Sequence, residues 1–457
     1  VATFTIFARS SGDDTTGDGT LTNPYRTFQR AIRDVPNIIT PGNRYVVDIT
    51  GIGVEVFPPD YCFPVIQNGS NLNLDLSDPT FIVNQGFEVR ATPQPVALPA
   101  GEAFIAPGDL ASVVVDPDTG LLTITLAAAR PSWGVDLLKG KFLIGLFPLT
   151  DNLVIWSNTT TVIQATCVSF QVGPPLFDTW VISEPSATFE GSTTLSTNAI
   201  NVTQSNNVGL KGIKFVNTDG NPANAALQVS NCGAAILELC DVEGLTNFFQ
   251  IVADLIFCYI HGKTFTSSNA FVGLGSYFAD ILSFPEVGAD VLLAGCVFQN
   301  CPAIGARVDP TVPVGHLSLN DVVFQGGYIT APVVDAGPIP VPADGVYVGG
   351  GLTTLFFVKI DNCPGNAVTV SDGNGYLRME HVTGSVGNVG YGVQADDGGT
   401  VRILDAATTV TGALGAVKSG SLAAVAVYPV FPTLNSFDIP PNSPIAVSTG
   451  TRIYQRP

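Results

Sequence analysis

Eight short apolar segments of this chain share one spacing, and that spacing narrows the folds open to it. One apolar reference residue in each gives Phe215, Val242, Ile260, Phe298, Phe324, Ile360, Val382 and Val410. Two residues later stand Asn217, Gly244, Gly262, Asn300, Gly326, Asn362, Gly384 and Gly412, each an Asn or a Gly. These residues adopt φ > 0 most readily, so each strand is expected to end in the same left-handed corner. Two residues before the references stand Ile213, Cys240, Cys258, Cys296, Val322, Val358, Glu380 and Thr408, mostly small or β-branched apolar groups. One residue after them stand Val216, Glu243, His261, Gln299, Gln325, Asp361, Thr383 and Thr411, polar with one exception. That in–out alternation is the period of a half-buried strand. The references follow one another at 27, 18, 38, 26, 36, 22 and 28 residues. A step of roughly 20–28 residues suits one coil of a parallel β-solenoid, and the gaps of 38 and 36 are each expected to hide a further turn. Strands at 227–230, 346–348, 368–370 and 392–395 recur at related places.

The spacing also interprets the eight cysteines. Cys240, Cys258 and Cys296 share one inward position, and Cys301 and Cys363 share another. Stacked thiols in a core behave as small hydrophobes. Buried, reduced cysteines are therefore expected, with inter-coil disulfides as the competing reading. There is no C-x-x-C pair, and a cysteine metal site is not expected.

Composition removes several function classes. Net charge is −19, and charged residues make up 12 % of the chain, against about 25 % for an ordinary soluble domain. An acidic chain of this kind repels phosphate, so nucleic acid is not an expected partner. Hydrophobic residues are 46 % of the chain, enough to exclude disorder. No apolar run approaches the roughly 18 residues of a membrane span, and no membrane insertion is expected. Residues 1–7 alternate like a strand and do not resemble a secretory signal. Either a signal has been removed, or the protein leaves the cell by lysis and particle assembly.

The ends read differently from the middle. Phe28, Ala31, Ile32 and Val35 form one helical stripe that Pro36 terminates, so a short helix is expected to cover the first coil. The expected organisation is an N-terminal cap over 1–40, β-rich early coils with a possible inserted β-domain over 41–190, a parallel β-helix over 191–415, and an extended cap or tail over 416–457. Ser11-Gly12-Asp13-Asp14, Gly17-Asp18-Gly19-Thr20 and Asn23-Pro24-Tyr25-Arg26-Thr27-Phe28-Gln29-Arg30-Ala31-Ile32 resemble the capping segment that opens many right-handed, pectate-lyase-like β-helix proteins. Those include phage tailspikes and polysaccharide-degrading enzymes. The stretch from Asn198 to Asn217 resembles that family's coil repeat. The resemblance implies an all-β, right-handed parallel β-helix and leaves activity to be argued from a site.

On the outer face of adjacent coils the spacing gathers Asp241, Glu243, Tyr259 and His261, with Lys214 on the coil before. Two carboxylates, a phenol and an imidazole are the groups that glycan cleavage needs as acid, base and charge stabiliser. The competing reading is a solvated polar face. A second cluster comprises Lys359, Asp361 and His381. Asn217-Thr218-Asp219-Gly220 resembles one polygalacturonase motif, but that family's Asp-Asp pair, Gly-His-Gly and Arg-x-Lys are missing, so no role is carried over. Asp13, Asp14 and Asp18 do not match a calcium loop and read better as Asx-turns. No cofactor or metal is expected.

Outward positions also include the apolar residues Leu239, Phe257, Val297, Val323 and Phe357. On a sparsely charged chain these are expected to be covered by other copies, as a homotrimer. The function expected is a structural, glycan-facing component of a virus-like particle, tailspike-like or surface-decorating. Its partners would be itself, other particle proteins and a cell-surface polysaccharide. It would be assembled in the host cytoplasm and displayed on the particle surface. A polysaccharide lyase or glycoside hydrolase on the same fold is the first alternative, and a secreted adhesin the second.

Overall fold

The computed structural model describes residues 2–68, 86–166, 179–243, 254–261, 280–281, 290–299, 306–308, 316–325, 345–427 and 452–455, apart from short breaks. The chain is all-β, with parallel sheets. One sheet has thirteen described strands, beginning with Ala2–Phe7, Asn43–Asp48, Gly86–Arg90, Val208–Lys211 and Ala235–Glu238 and ending at Ala424–Val427 and Arg452–Gln455. A second has ten, from Gly53–Val56 and Ala187–Gly191 through Ile213–Asn217, Asp241–Glu243 and Tyr259–His261 to Thr409–Val410. A third has six, running from Asp280–Ile281 to Gly415–Ser419. In all three the strands lie side by side in chain order, so each pass of the chain adds one rung.

The predicted ladder is present with one slip. Phe215, Val242, Ile260, Phe298, Phe324 and Ile360 pair in direct succession. Ile260 therefore neighbours Phe298, and Phe324 neighbours Ile360, so the long gaps hide no further strand in this sheet. The slip is at Val382. Lys359 pairs with Thr383, and Gly384 with Val410, so Gly384 holds the row position. Val382 is nonetheless fully buried, two residues earlier, in the column that Ile213, Cys240 and Cys258 occupy.

At the described positions, the left-handed corners are not where the Asn/Gly pattern put them. Asn217 is a buried residue at the end of its strand. Gly244, Gly262, Asn300, Gly326 and Asn362 lie outside the described residues. Positive φ occurs three residues before the row position, at Gly212 (67°), Leu239 (52°), Phe257 (52°), Gly295 (61°) and His381 (53°). Each of these residues turns the chain from the thirteen-stranded into the ten-stranded sheet. Leu and Phe pay a steric cost for φ > 0 of roughly 1–2 kcal/mol, and their side chains are thereby aimed outward.

Inside, the cap helix behaves as its stripe requires. Phe28–Ala31 is α-helical and Ile32–Asp34 continues as a 3₁₀ turn, with Phe28, Ala31, Ile32 and Val35 all buried. The Thr27 hydroxyl accepts from the Arg30 N–H, while the Glu55 carboxylate takes the N–H groups of Phe28 and Gln29 at 2.6 and 3.0 Å. These bonds satisfy orphan donors of the first turn. The Phe28 ring packs 5.0 Å from Phe189, which meets Phe215 edge-on at 5.8 Å. Asp13 accepts from Thr15 and Thr16, and Asp18 from Thr20, as local turn chemistry predicts; Asp14 instead accepts from the N–H groups of Arg26 and Thr27, tying the turn to the start of the cap helix.

Cys240, Cys258 and Cys296 are fully buried free thiols in one column. Each donates to a carbonyl of the preceding pass, those of Leu210, Leu237 and Leu255, at 3.2–3.4 Å. Burial pushes the Cys240 and Cys258 thiols well above their ordinary range, away from the reactive thiolate. Under native conditions an alkylating reagent is expected to label exposed Cys62 and spare these three. Denaturation without reductant should then expose all three to labelling. A disulfide-linked peptide containing any of them would contradict the column. Cys301 and Cys363 lie outside the described residues.

Between Arg90 and Ala187 the described residues leave the parallel stack and form an antiparallel sheet of eight described strands, including Leu122–Leu126, Phe142–Gly145, Asn152–Asn158, Val162–Ala165 and Trp180–Glu184. Alternation splits its side chains between two faces. Leu143, Leu153, Ile155 and Ile163 gather around Trp133 and Trp180 in a core of their own. Phe142 and Val154, with Leu121, face the other way and pack on Leu239 and Val297 of the parallel stack; Ile144, Trp156, Phe257 and Tyr259 join them. Thr166 Oγ1 ties the two together by donating to the Gly295 carbonyl at 3.0 Å.

This contact corrects the reading of the outward apolar residues. Leu239 and Val297 are 2 % and 0 % exposed within a single chain, and Phe257 is half-buried against the same cluster. Their cover is the chain's own antiparallel sheet, so they supply no argument for a trimer. The side chains of Val323 and Phe357 lie outside those described.

Candidate functional site

The pairing register brings the predicted site together. Lys214, Asp241 and Tyr259 are direct partners on successive strands, as are Val216, Glu243 and His261. Rungs lie about 4.8 Å apart, so side chains on these strands meet. Lys214 Nζ stands 3.0 Å from Glu243 and 3.5 Å from Asp241. His261 Nε2 lies 2.9 Å from Asp241 Oδ1 and its ring stacks on Tyr259 at 4.4 Å.

The cluster does not lie on an open wall. It sits at the seam where the antiparallel sheet docks. A Cβ added at Gly140 would come within 2.2 Å of the Tyr259 ring, so backbone of the inserted sheet rests directly on that side chain. Asp241 is buried and His261 nearly so, while Glu243 and Lys214 keep partial access to water. Lys141, from the inserted sheet, adds positive charge near Asp241 and pairs with Glu184. Sequence reading missed Lys141, because nothing in its local pattern says which strand of the stack it will approach.

Electrostatics decide the protonation of Asp241. Burial pushes its carboxyl up, but the hydrogen bond and charge of His261, then Lys214 and Lys141, outweigh it and hold the group below its ordinary 3.8. Lys214 shows the converse: burial lowers it, and Asp241 and Glu243 more than reverse this. A carboxylate with a depressed folded value stabilises the fold above its unfolded value, and that stability is lost as pH falls through the folded value. Asp241→Asn is therefore expected to cost about 1.5–3 kcal/mol near neutrality, the worth of hydrogen bonds to a charged group. The variant should also lose less stability than the parent on acidification below 3.8. Urea unfolding at neutral and acid pH measures both, and parallel acid profiles would contradict the assignment.

In the second predicted cluster, Lys359 and Asp361 form an ion pair at 2.7 Å, and Lys359 lies 6.0 Å from the ring centre of Trp156 on the inserted sheet. His381 occupies a left-handed corner and packs edge-on against Phe356. Thr218 donates to Gly191, next to Asn217, while Asp219 and Gly220 lie outside the described residues.

Among known proteins, no family model matches this chain, and no curated protein matches it. Solved structures give low-scoring likenesses. A lacto-N-biosidase from Eubacterium ramulus is 10 % identical over 98 % of this chain and 68 % of its own, with a TM-score of 0.39. The tailspike of Pseudomonas phage phi297 is 12 % identical over 88 % of this chain and 66 % of its own, with a TM-score of 0.26. A tailspike of Acinetobacter baumannii bacteriophage AP22, solved with capsular saccharide, is 11 % identical over 90 % and 74 %, with a TM-score of 0.18. Likenesses at this level assign no activity.

Proposed function

We propose that this chain is a glycan-facing structural component of an extracellular particle, of the tailspike type, which holds its glycan without cleaving it. One observation carries the second half of that reading. Glycoside hydrolysis with two carboxyl groups needs one of them kept protonated, with a raised pKa, to donate to the leaving oxygen. Here Lys214 bridges Asp241 and Glu243, and Asp241 is held ionised. The pair is thus arranged as salt links at a docking seam.

The architecture proposed is a right-handed parallel β-helix. Its support is the succession of passes through three parallel sheets in chain order, and the strong preference of parallel crossovers for the right hand. Residues 1–40 serve as its cap, 41–190 as early coils carrying the antiparallel insert, 191–415 as the main helix and 416–457 as the C-terminal end. Three copies packing flank to flank remain the proposed assembly. Exposed Val54 and Val56, together on one edge strand, are candidates for that contact in place of Phe257 and Val297. The place proposed is the particle surface, supported by the resemblance of residues 11–32 to tailspike caps.

A second reading is a lyase or hydrolase at the same seam. It is favoured by His261, oriented by Asp241 and stacked on Tyr259, as a base would be. Mass spectrometry of purified particles from the source, with the mass of the free chain in dilute solution, tests the leading reading. A particle component at a threefold multiple of 47.6 kDa supports it. A free monomer absent from any particle contradicts it.

A further inference from the structure

The antiparallel sheet closes one of its two edges and leaves the other open. At one end Trp180–Glu184 is bounded by two-residue strands, Gln94–Pro95 and Phe104–Ile105. Proline has no N–H to offer there. At the other end lies Leu110–Val115, six residues paired on one side only, with Leu122–Leu126. Two hydrogen bonds fix which backbone groups face the open side. Asp116 donates to the Leu121 carbonyl at 2.9 Å, and Leu126 to the Thr161 carbonyl at 2.8 Å. Alternation along an antiparallel ladder then turns the N–H and C=O of Ser112 and Val114 toward Leu122–Leu126, and those of Val113 and Val115 outward. Among the described residues, these outward groups have no backbone partner.

An edge of this kind is a template for another strand, and proteins usually blunt it with a lysine, a proline or a covering element. Leu110–Val115 has no charged residue and no proline. Leu110, Val113 and Val115 pack on the core around Trp133 and Trp180, which holds the strand in place, while Val114 is 54 % exposed. We propose that Leu110–Val115 is a docking edge for an extended segment of another protein, apolar along its middle and basic at its ends. Charge selects that occupant. Asp109 and Asp116 stand at the two ends of the strand, and residues 91–186 carry 3 bases against 8 acids. Even counting Arg130, which holds Asp109 at 2.9 Å, this leaves a net charge of −5. Pairing with a second copy, in either direction, sets acidic ends against acidic ends, and like charges facing across strands destabilise the pair. A basic-ended segment instead gains main-chain hydrogen bonds along the edge and attraction at its flanks. Docking here requires no glycan.

Fluorescence anisotropy on the full chain tests the edge with labelled, end-capped peptides of alternating valine and threonine. One carries a lysine at each end, one a glutamate at each end, and one lysine ends with a central proline. The lysine-ended peptide is expected to bind, the glutamate-ended one about tenfold more weakly, and the proline peptide not at all. Raising salt from about 0.05 to 0.3 M should narrow the gap between the first two. In hydrogen exchange, the Val113 and Val115 amides should exchange fast in the free chain and gain protection on binding, whereas Ser112 and Val114 stay protected throughout. Val113→Pro removes an outward donor without touching the ladder and should abolish binding. At exposed Val114, Val114→Lys should weaken the lysine-ended peptide about threefold, and Val114→Glu should strengthen it by a similar factor. No binding of the lysine-ended peptide, or undiminished binding by Val113→Pro or of the proline peptide, overturns the docking edge. Equal binding of the lysine-ended and glutamate-ended peptides overturns the choice of a basic occupant. Self-association of the chain that Val113→Pro abolishes would give the edge to a second copy and overturn that choice too.

Discussion

Phe215→Ala is expected to lower the stability of the parallel stack by about 3–5 kcal/mol, the usual cost of emptying a buried phenylalanine site. Phe215 is completely buried, stacked in register between Phe189 and Val242. Its ring meets that of Phe189, which in turn contacts Phe28 of the cap helix. The cavity would therefore open in the middle of an aromatic column whose neighbours are held by sheet pairing and cannot close around it. A denaturant midpoint well below that of the parent, with loss of cap-helix protection in hydrogen exchange, is the expected record. Val54→Ala, at a site 60 % exposed, should shift the same midpoint by no more than about 0.5 kcal/mol. Equal effects from the two variants would remove Phe215 from the core.

Gly140→Val should separate the antiparallel insert from the stack. Gly140 has φ of 76°, a conformation that costs a β-branched residue heavily, and its Cβ would fall 2.2 Å from Tyr259. Strain and overlap together are expected to cost about 3 kcal/mol or more. Undocking would bare Leu239, Val297 and Phe257, so the variant should bind an apolar dye and be cut by protease within 91–186 while the stack stays folded. Gly134→Ala, where an added Cβ finds ordinary contact, is the control. A Gly140→Val protein with parent-like stability and no dye binding would show that the insert does not rest on Tyr259.

The strand ladder was legible because it is local. Phe215, Val242 and Ile260 each sit in a short strand of period two, and stacking repeats that pattern at similar intervals. The stripe of Phe28, Ala31, Ile32 and Val35 was legible for the same reason. The slip at Val382 arose where a glycine matched the expected corner by chance; Gly384 is a row residue instead. The true corners include Leu239, Phe257 and His381, and positive φ at such residues has no compositional signature. The site cluster was readable because Lys214, Asp241, Glu243, Tyr259 and His261 follow from register alone. What covers it was not, because Gly140, Lys141 and Phe142 reach it from a different sheet. An apolar residue facing outward shows that something covers it, not whether that cover is another chain or another part of the same one.

Whether the chain holds or cuts its glycan is decided most directly by incubating it with surface polysaccharides of the host and measuring retention and new chain ends in the same sample. The bridging of Asp241 and Glu243 by Lys214 predicts retention, with no reducing ends and no unsaturated products at any time. Release of such ends by the parent, lost in Asp241→Asn or Glu243→Gln, would contradict it and place an active site at the seam.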